Sequence, residues 1–138
     1  MTILRASARP TRKAPPDRFT GDVWQDEVVV PTAPSRMRAT NVAFAPGART
    51  AWHSHPVGQV LYVLSGVGRI QFKGEAVQLL QPGDTAVIPP NVVHWHGAAP
   101  DRLFVHLAMS ESTEDGGSTE WFDLVSDADY AKEPASLG

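Results

Sequence analysis

Short runs of apolar and β-branched residues fill the chain, separated by Pro, Gly and Asp, and no segment keeps the 3.6-residue period of an amphipathic helix. This pattern predicts an all-β protein. The predicted strands span residues 23–30, 37–44, 50–53, 59–64, 68–72, 76–80, 85–88, 93–96 and 103–109. Eight or nine strands at this spacing are typical of a sandwich or a barrel.

The breaks between these runs carry their own turn chemistry. Pro46 with Gly47, and Pro82 with Gly83, predict tight turns. A helical turn is predicted only near the end of the chain, where Ser126 is a typical N-cap and a proline soon follows.

The chain has 138 residues, enough for one domain. Charge is distributed unevenly along it. Residues 1–18 carry five of the twelve basic residues, whereas residues 111–138 carry eight acidic residues and a single lysine. We therefore predict a flexible basic N-terminal arm over residues 1–16 and one domain over residues 17–138. An arm that packs on a neighbouring subunit is the alternative.

Composition also narrows the partners and the compartment. The net charge of −3 argues against nucleic acid, and the longest apolar run, residues 60–64, is too short to cross a membrane. The chain has no cysteine and no apolar stretch of signal-peptide length, so we expect a cytoplasmic protein. Short edge strands and the apolar residues at 28–30 predict a homo-oligomer, either a dimer or a tetramer.

Three potential metal ligands lie close together in the segment 47–66. His53 and His55 share one face of a predicted strand, and Gln59 can return to that face. His94 follows a Pro-rich turn downstream and supplies a fourth donor. Without cysteine, any metal must be bound by nitrogen and oxygen, a donor set that suits Mn, Fe, Co, Ni or Zn.

These segments resemble the two signature motifs of the cupin superfamily. The first motif, over residues 47–66, runs G-x5-H-x-H-x3-E-x6-G. Gly47, His53, His55 and Gly66 match it, whereas Gln59 stands where glutamate is usual.

The second motif, over residues 83–98, runs G-x5-P-x-G-x2-H-x3-N. Gly83, Pro89 and His94 match it, whereas Asn91 and Ala98 replace the last glycine and the asparagine. Agreement in both motifs is far more specific than one H-x-H pair.

The resemblance implies a single-domain jelly roll with one divalent metal ion bound by His53, His55, Gln59 and His94. In the alternative, three histidines bind the metal while Gln59 only packs or hydrogen-bonds nearby. Four neutral ligands would leave the charge of the ion uncompensated, which favours an anionic or alkoxide ligand. Either arrangement leaves coordination positions open, as in a catalytic site.

Two further histidines and one strand face predict a substrate pocket. His96 lies on the same strand face as His94. It is either a hydrogen-bond partner of the ligands or an interior residue bonded to backbone. His106 lies mid-strand among apolar residues, and it is either a general acid/base or a buried structural histidine. The other predicted pocket residues are Thr40, Val42 and Phe44 on one strand, and Ser110 on the strand of His106.

Within the superfamily, the chain resembles the small bacterial manganese-dependent hydroxynitrile lyases. The resemblance rests on the opening segment 17–21, on PGARTAWHSHPVGQ with its glutamine, on HWHGAAP, on His106 and on residues 121–130. It implies a carbon–carbon lyase that cleaves or forms cyanohydrins, with manganese favoured and His106 in proton transfer. The alternatives are a metal-dependent dioxygenase acting on a phenolic or dicarbonyl substrate, and a non-catalytic module that binds a small molecule.

Overall fold

Strand-forming residues dominate the fold, as their spacing in the sequence predicts. In the computed structural model, which describes residues 1–135, two antiparallel sheets form a jelly-roll-like barrel. This confirms the predicted all-β class. The last three residues of the predicted domain, 136–138, lie outside the described residues.

Thirteen strands, one short α-helix and one 3-10 turn, Ala6–Ala8, make up the described chain. The strands and the helix are β1 (Arg12–Lys13), β2 (Phe19–Thr20), β3 (Val23–Val29), β4 (Met37–Phe44), β5 (Arg49–Thr50), β6 (His53–Ser54), β7 (Gln59–Gly66), β8 (Gly68–Phe72), β9 (Gln78–Leu80), β10 (Thr85–Ile88), β11 (His94–Ala98), β12 (Phe104–Glu111), β13 (Glu120–Trp121) and α1 (Asp127–Tyr130).

The two sheets divide these strands by position rather than by chain order. The first sheet has the order β1-β3-β4-β12-β7-β10. The second has the order β13-β6-β11-β5-β2, with β8 on the other side of β11 and β9 paired to β8. β11 therefore lies at the centre of the second sheet, and β12 lies well inside the first.

One predicted strand is interrupted. The run 50–53 was expected to be continuous, but β5 ends at Thr50 and β6 begins at His53. The two residues between them bond elsewhere: the Ala51 amide donates to the Arg18 carbonyl, and the Trp52 amide donates to the Asp123 carbonyl. The two parts still pair with the same strand, β11.

The sheet begins inside the segment predicted as a flexible arm. Arg12 and Lys13 pair with Gln25 and Trp24 of β3, and Ala14 is buried in the core. Regular structure therefore starts before the predicted domain boundary at residue 17. Two-residue strands such as β1, β2 and β13 carry no period, so the sequence pattern did not reveal them.

The main core lies between the sheets. Buried side chains from β4, β7, β8, β9, β10, β11 and β12 meet there, among them Phe44, Leu61, Val63, Ile70, Leu80, Ile88, Ala98 and Phe104. Each large apolar side chain buried in this way contributes roughly 1.5–3 kcal/mol. No helix within residues 1–135 is long and apolar enough to cross a membrane.

A second cluster packs the C-terminal helix against the barrel. It contains Trp52, Trp95, Val125 and Tyr130. The Ser126 hydroxyl accepts a hydrogen bond from the Asp129 amide at 3.1 Å, so the predicted N-cap and helical turn are confirmed.

Candidate metal centre and cavity

All five histidines of the chain lie in one cluster inside the barrel. His53 opens β6 and His55 follows that strand, His94 and His96 lie on β11, and His106 lies on β12. Each is at most 5% exposed. The ring centroid of His53 is 4.2 Å from that of His94 and 5.0 Å from that of His55.

Strand pairing explains why residues distant in sequence meet here. β6 pairs with β11 so that His53 lies opposite His94. β7 pairs with β12 so that Gln59 lies opposite Ser110. Because side chains alternate along a strand, His106 and Ser110 project from the same face of β12. This is the face that points into the barrel.

Each of the three motif histidines has its Nδ1 atom engaged. Nδ1 of His53 is 2.9 Å from the Ala51 carbonyl oxygen, and Nδ1 of His94 is 2.9 Å from the Val92 carbonyl oxygen. A carbonyl only accepts, so in both rings the proton is on Nδ1 and the Nε2 lone pair is free. Nδ1 of His55 instead lies 3.1 Å from the Thr119 hydroxyl oxygen.

Several buried atoms of this cluster that could coordinate a metal ion have no hydrogen-bond partner within residues 1–135. They are Nε2 of His55 and of His94, and Oε1 of Gln59. Buried polar atoms without partners are costly, so such a group is typical of a site that binds a metal ion or another ligand. Imidazole nitrogens with an amide oxygen fit a divalent first-row metal ion.

A close group of ring nitrogens includes a residue outside the predicted ligand set. One ring nitrogen from each of His53, His94 and His96 lies within 4.8 Å of the other two. The structure thus brings the predicted residues His53, His55, Gln59 and His94 into one region and places His96 beside them. A group of three histidines could hold a metal ion.

His96 and His106 form a hydrogen-bonded pair at the back of this region. Nε2 of His106 is 3.1 Å from Nδ1 of His96, so one proton lies between the rings. Among the described residues, Nε2 of His96 and Nδ1 of His106 have no partner. The ring of His106 also packs against Phe44, with the centroids 5.3 Å apart.

Burial keeps all five imidazoles neutral. It lowers the pKa of His55 and of His94 to about 4, and that of His106 to about 3. The pKa values of His53 and His96 also fall well below 6.5, because of burial first and neighbouring imidazoles second. Neutral imidazoles are the form that binds a metal and that accepts a proton.

A cavity of about 150 Å³ opens onto these side chains. All five residues predicted to form the pocket line it: Thr40, Val42, Phe44, His96 and Ser110. His53, His55, Gln59 and His106 line it as well, whereas His94, whose ring is 4.2 Å from that of His53, is not among the lining residues. Its volume is below the roughly 300–1,000 Å³ usual for drug-sized ligands, so it suits a smaller molecule.

Sequence reasoning missed part of the lining. The additional lining residues are Phe19, Gln25, Arg38, Thr50, Ala108, Thr119 and Trp121. Period-two alternation could have found Arg38, two residues before Thr40, and it does place Ala108 on the face of His106. Phe19 and Trp121 lie on two-residue strands, which gave no signal.

Comparison with known proteins agrees with this architecture. Residues 40–107 match the family model described as Cupin domain. A protein from Granulicella tundricola named (R)-mandelonitrile lyase is 42% identical over 132 residues, which cover 96% of this chain and 100% of that protein.

Solved structures show the same fold. A cupin-like protein from Thermotoga maritima is 44% identical with a TM-score of 0.82, covering 86% of this chain and 89% of that one. A protein from Rhodospirillum rubrum, described as a cupin-2 domain, is 19% identical with a TM-score of 0.70, covering 94% and 84%. At that identity, the second likeness concerns the fold alone.

Proposed function

The chain belongs to the cupin family, and we propose that it is a metal-dependent carbon–carbon lyase that cleaves cyanohydrins to an aldehyde and hydrogen cyanide, and forms them in reverse. The observation that carries the proposal is that His55 and Gln59, whose ligand atoms are buried without partners, line one small cavity together with the His96–His106 pair. The relative named (R)-mandelonitrile lyase supports this reaction class.

The proposed ligands of one divalent ion are His53, His55, Gln59 and His94, with manganese favoured and iron, nickel, cobalt or zinc as alternatives. The unpartnered Nε2 atoms of His55 and His94 and the unpartnered amide oxygen of Gln59 support this choice. A bound divalent ion supplies Lewis-acid chemistry, which lowers the pKa of a coordinated hydroxyl. Because Gln59 is neutral where a carboxylate is usual, the ligands leave that charge uncompensated.

His106 is the proposed general base. Its neutral ring takes the proton from the cyanohydrin hydroxyl, and the hydrogen bond to His96 spreads the resulting positive charge over two imidazoles. A group with a pKa of about 3 accepts a proton only where negative charge develops beside it, as it does when the hydroxyl ionises. The carbon–carbon bond then breaks, and the departing cyanide takes the proton back as hydrogen cyanide.

The cavity wall favours a small substrate with an apolar group. Val42, Phe44 and Ala108 line it on one side, with Phe19 and Trp121 among the other lining residues. An aryl or short alkyl aldehyde and its cyanohydrin match this lining in size and polarity.

The deciding experiment measures benzaldehyde release from racemic mandelonitrile in mildly acidic buffer, where the uncatalysed reaction is slow. Manganese-loaded and chelator-stripped protein are compared side by side. Release only from the loaded sample supports the lyase. Background release from both would refute it, and oxygen consumption with phenolic or dicarbonyl substrates would then be tested.

We also propose a homo-oligomer that works in the cytoplasm on small molecules. Apolar side chains on the outer face of the first sheet support assembly: Tyr62, Leu64 and Val87 are 42%, 47% and 68% exposed. Light scattering of the purified protein measures the mass directly. A mass equal to a single chain would contradict the proposed assembly.

A further inference from the structure

Residues 119–123, which we call the strap, run antiparallel beside the strand that carries His53. Glu120 and Trp121 form β13 and pair with Ser54 and His53. Backbone hydrogen bonds of 2.9 Å and 3.0 Å join the strap to Trp52 at its far end. The strap is thus tied to the segment that holds the first two histidines of the cluster.

Trp121 shows how closely the strap approaches the cluster. Its ring stacks on that of His53, with centroids 4.8 Å apart and an angle of 26° between the planes. Phe19 packs on the same indole at 5.7 Å, and the Arg18 guanidinium lies 5.3 Å from its centroid. The strap therefore has a fixed position relative to the histidine rings.

Thr119 makes the more consequential contact. In His53 and His94, Nδ1 contacts the backbone carbonyl oxygen two residues earlier in the chain. The partner of His55 is instead the Thr119 side chain, 64 residues away. The Thr119 hydroxyl oxygen can accept a hydrogen bond from Nδ1–H of His55, which is the tautomer that suits metal binding. The opposite nitrogen, Nε2, is then a free lone pair, and it is buried without a partner in the described chain.

We infer that Thr119 is a positioning residue of the metal centre, which fixes the tautomer and ring orientation of His55 from the C-terminal strap. This inference rests on the proposed metal site. Groups that hold the second nitrogen of a metal-bound histidine are commonly worth 10- to 100-fold in metal affinity. Nδ1 of His53 also lies 3.4 Å from the Thr50 hydroxyl oxygen, but it has a nearer backbone carbonyl at 2.9 Å. Among the three motif histidines of the described chain, His55 is therefore the one whose Nδ1 partner is a side chain alone, which substitution can remove.

The test is titration of chelator-stripped protein with Mn²⁺ by calorimetry. Thr119→Val keeps the shape of the side chain and removes the hydroxyl, and should weaken Mn²⁺ binding by about 10- to 100-fold. Thr119→Ser keeps the hydroxyl and should bind close to wild type. Thr85→Val, an exposed threonine on β10, is the matched control and should change nothing.

A second readout separates positioning from a general structural role. The metal-free Thr119→Val protein should unfold at nearly the wild-type temperature, and the visible spectrum of its Co²⁺-loaded form should change. Unaltered Mn²⁺ affinity in Thr119→Val, or a loss that Thr119→Ser shares, would overturn the inference. If wild-type protein binds none of Mn²⁺, Co²⁺ or Zn²⁺, the proposed metal site fails as well, whereas normal wild-type binding with an unaffected variant removes Thr119 alone.

Discussion

At the scale of single residues, substitution of His106 can separate the proposed metal binding from the proposed proton transfer. It occupies no position in either ligand motif, yet it is fully buried at the cavity and bonded to His96. His106→Ala should retain bound manganese and lose about 10²- to 10⁴-fold in kcat for mandelonitrile cleavage, the usual contribution of a general acid/base. Metal analysis and steady-state kinetics on the same sample check both parts.

The control for this prediction is His94→Ala. Its imidazole belongs to the proposed ligands, so this variant should lose metal and turnover together. A His106→Ala protein with wild-type kcat would remove His106 from the mechanism. A His106→Ala protein without metal would instead assign it a role in holding the ion.

Gln59 offers a second test at this scale, because its neutral amide sets the charge of the centre. Gln59→Glu adds a carboxylate that offsets part of the charge of the ion, so we expect Mn²⁺ to bind at least as tightly and kcat to fall. Calorimetry and mandelonitrile kinetics measure the two effects. Unchanged kcat would show that ligand charge does not control the reaction, and unchanged Mn²⁺ affinity in Gln59→Ala would show that Gln59 only packs nearby.

Individual residues also show how much of the candidate site can be predicted from the sequence. The histidines and Gln59 were predicted to lie together because motif spacing and strand alternation both indicate their face. Thr119 was missed because its contact with His55 spans 64 positions. Such a contact depends on where a two-residue strand lies in three dimensions, and nothing local in the sequence encodes it.

At the scale of elements, two motif glycines with the same backbone angle differ in their surroundings. Gly47 and Gly66 both have φ of +79°, which favours glycine over other residues. A Cβ at Gly47 meets no atom, whereas a Cβ at Gly66 overlaps the backbone carbonyl of Leu103. Gly47→Ala should therefore cost about 1–2 kcal/mol, and Gly66→Ala about 1–3 kcal/mol more because β7 and β12 must move apart there.

Urea unfolding followed by tryptophan fluorescence gives both free energies under the same conditions. The two variants are each other's control, since the left-handed backbone conformation is common to both. Equal losses would mean that the backbone angle alone explains these motif glycines and that the close approach of Leu103 does not matter.

The strand boundaries show where the pattern of apolar residues is sufficient to predict an element. β4, β8 and β10 have the predicted bounds because strand-forming residues fill each run and Pro, Gly or Asp lie close to its ends. The run 50–53 was predicted as one strand and is two, because the residues between β5 and β6 bond to residues 18 and 123. Local propensity cannot report a hydrogen bond to a distant segment.

At the scale of the whole molecule, the barrel buries five imidazoles from both sheets, and this burial lowers the stability of the fold at acidic pH. Burial lowers their pKa values from 6.5, to about 4 for His55 and His94 and about 3 for His106. Below pH 6.5 the unfolded chain therefore binds protons that the folded chain does not. Stability contributed by the neutral histidines is fully present above pH 6.5 and is lost as the pH falls toward the folded values.

We accordingly expect the metal-free protein to lose stability steadily between pH 6.5 and pH 5, above the range in which most carboxylates titrate. Each histidine that stays neutral only in the folded state adds about 1.4 kcal/mol per pH unit to the slope. Urea unfolding at several pH values, in chelator, measures the slope. His106→Ala, with one buried imidazole fewer, should show a shallower slope, and a flat profile in both proteins would mean that these histidines are not held neutral by the fold.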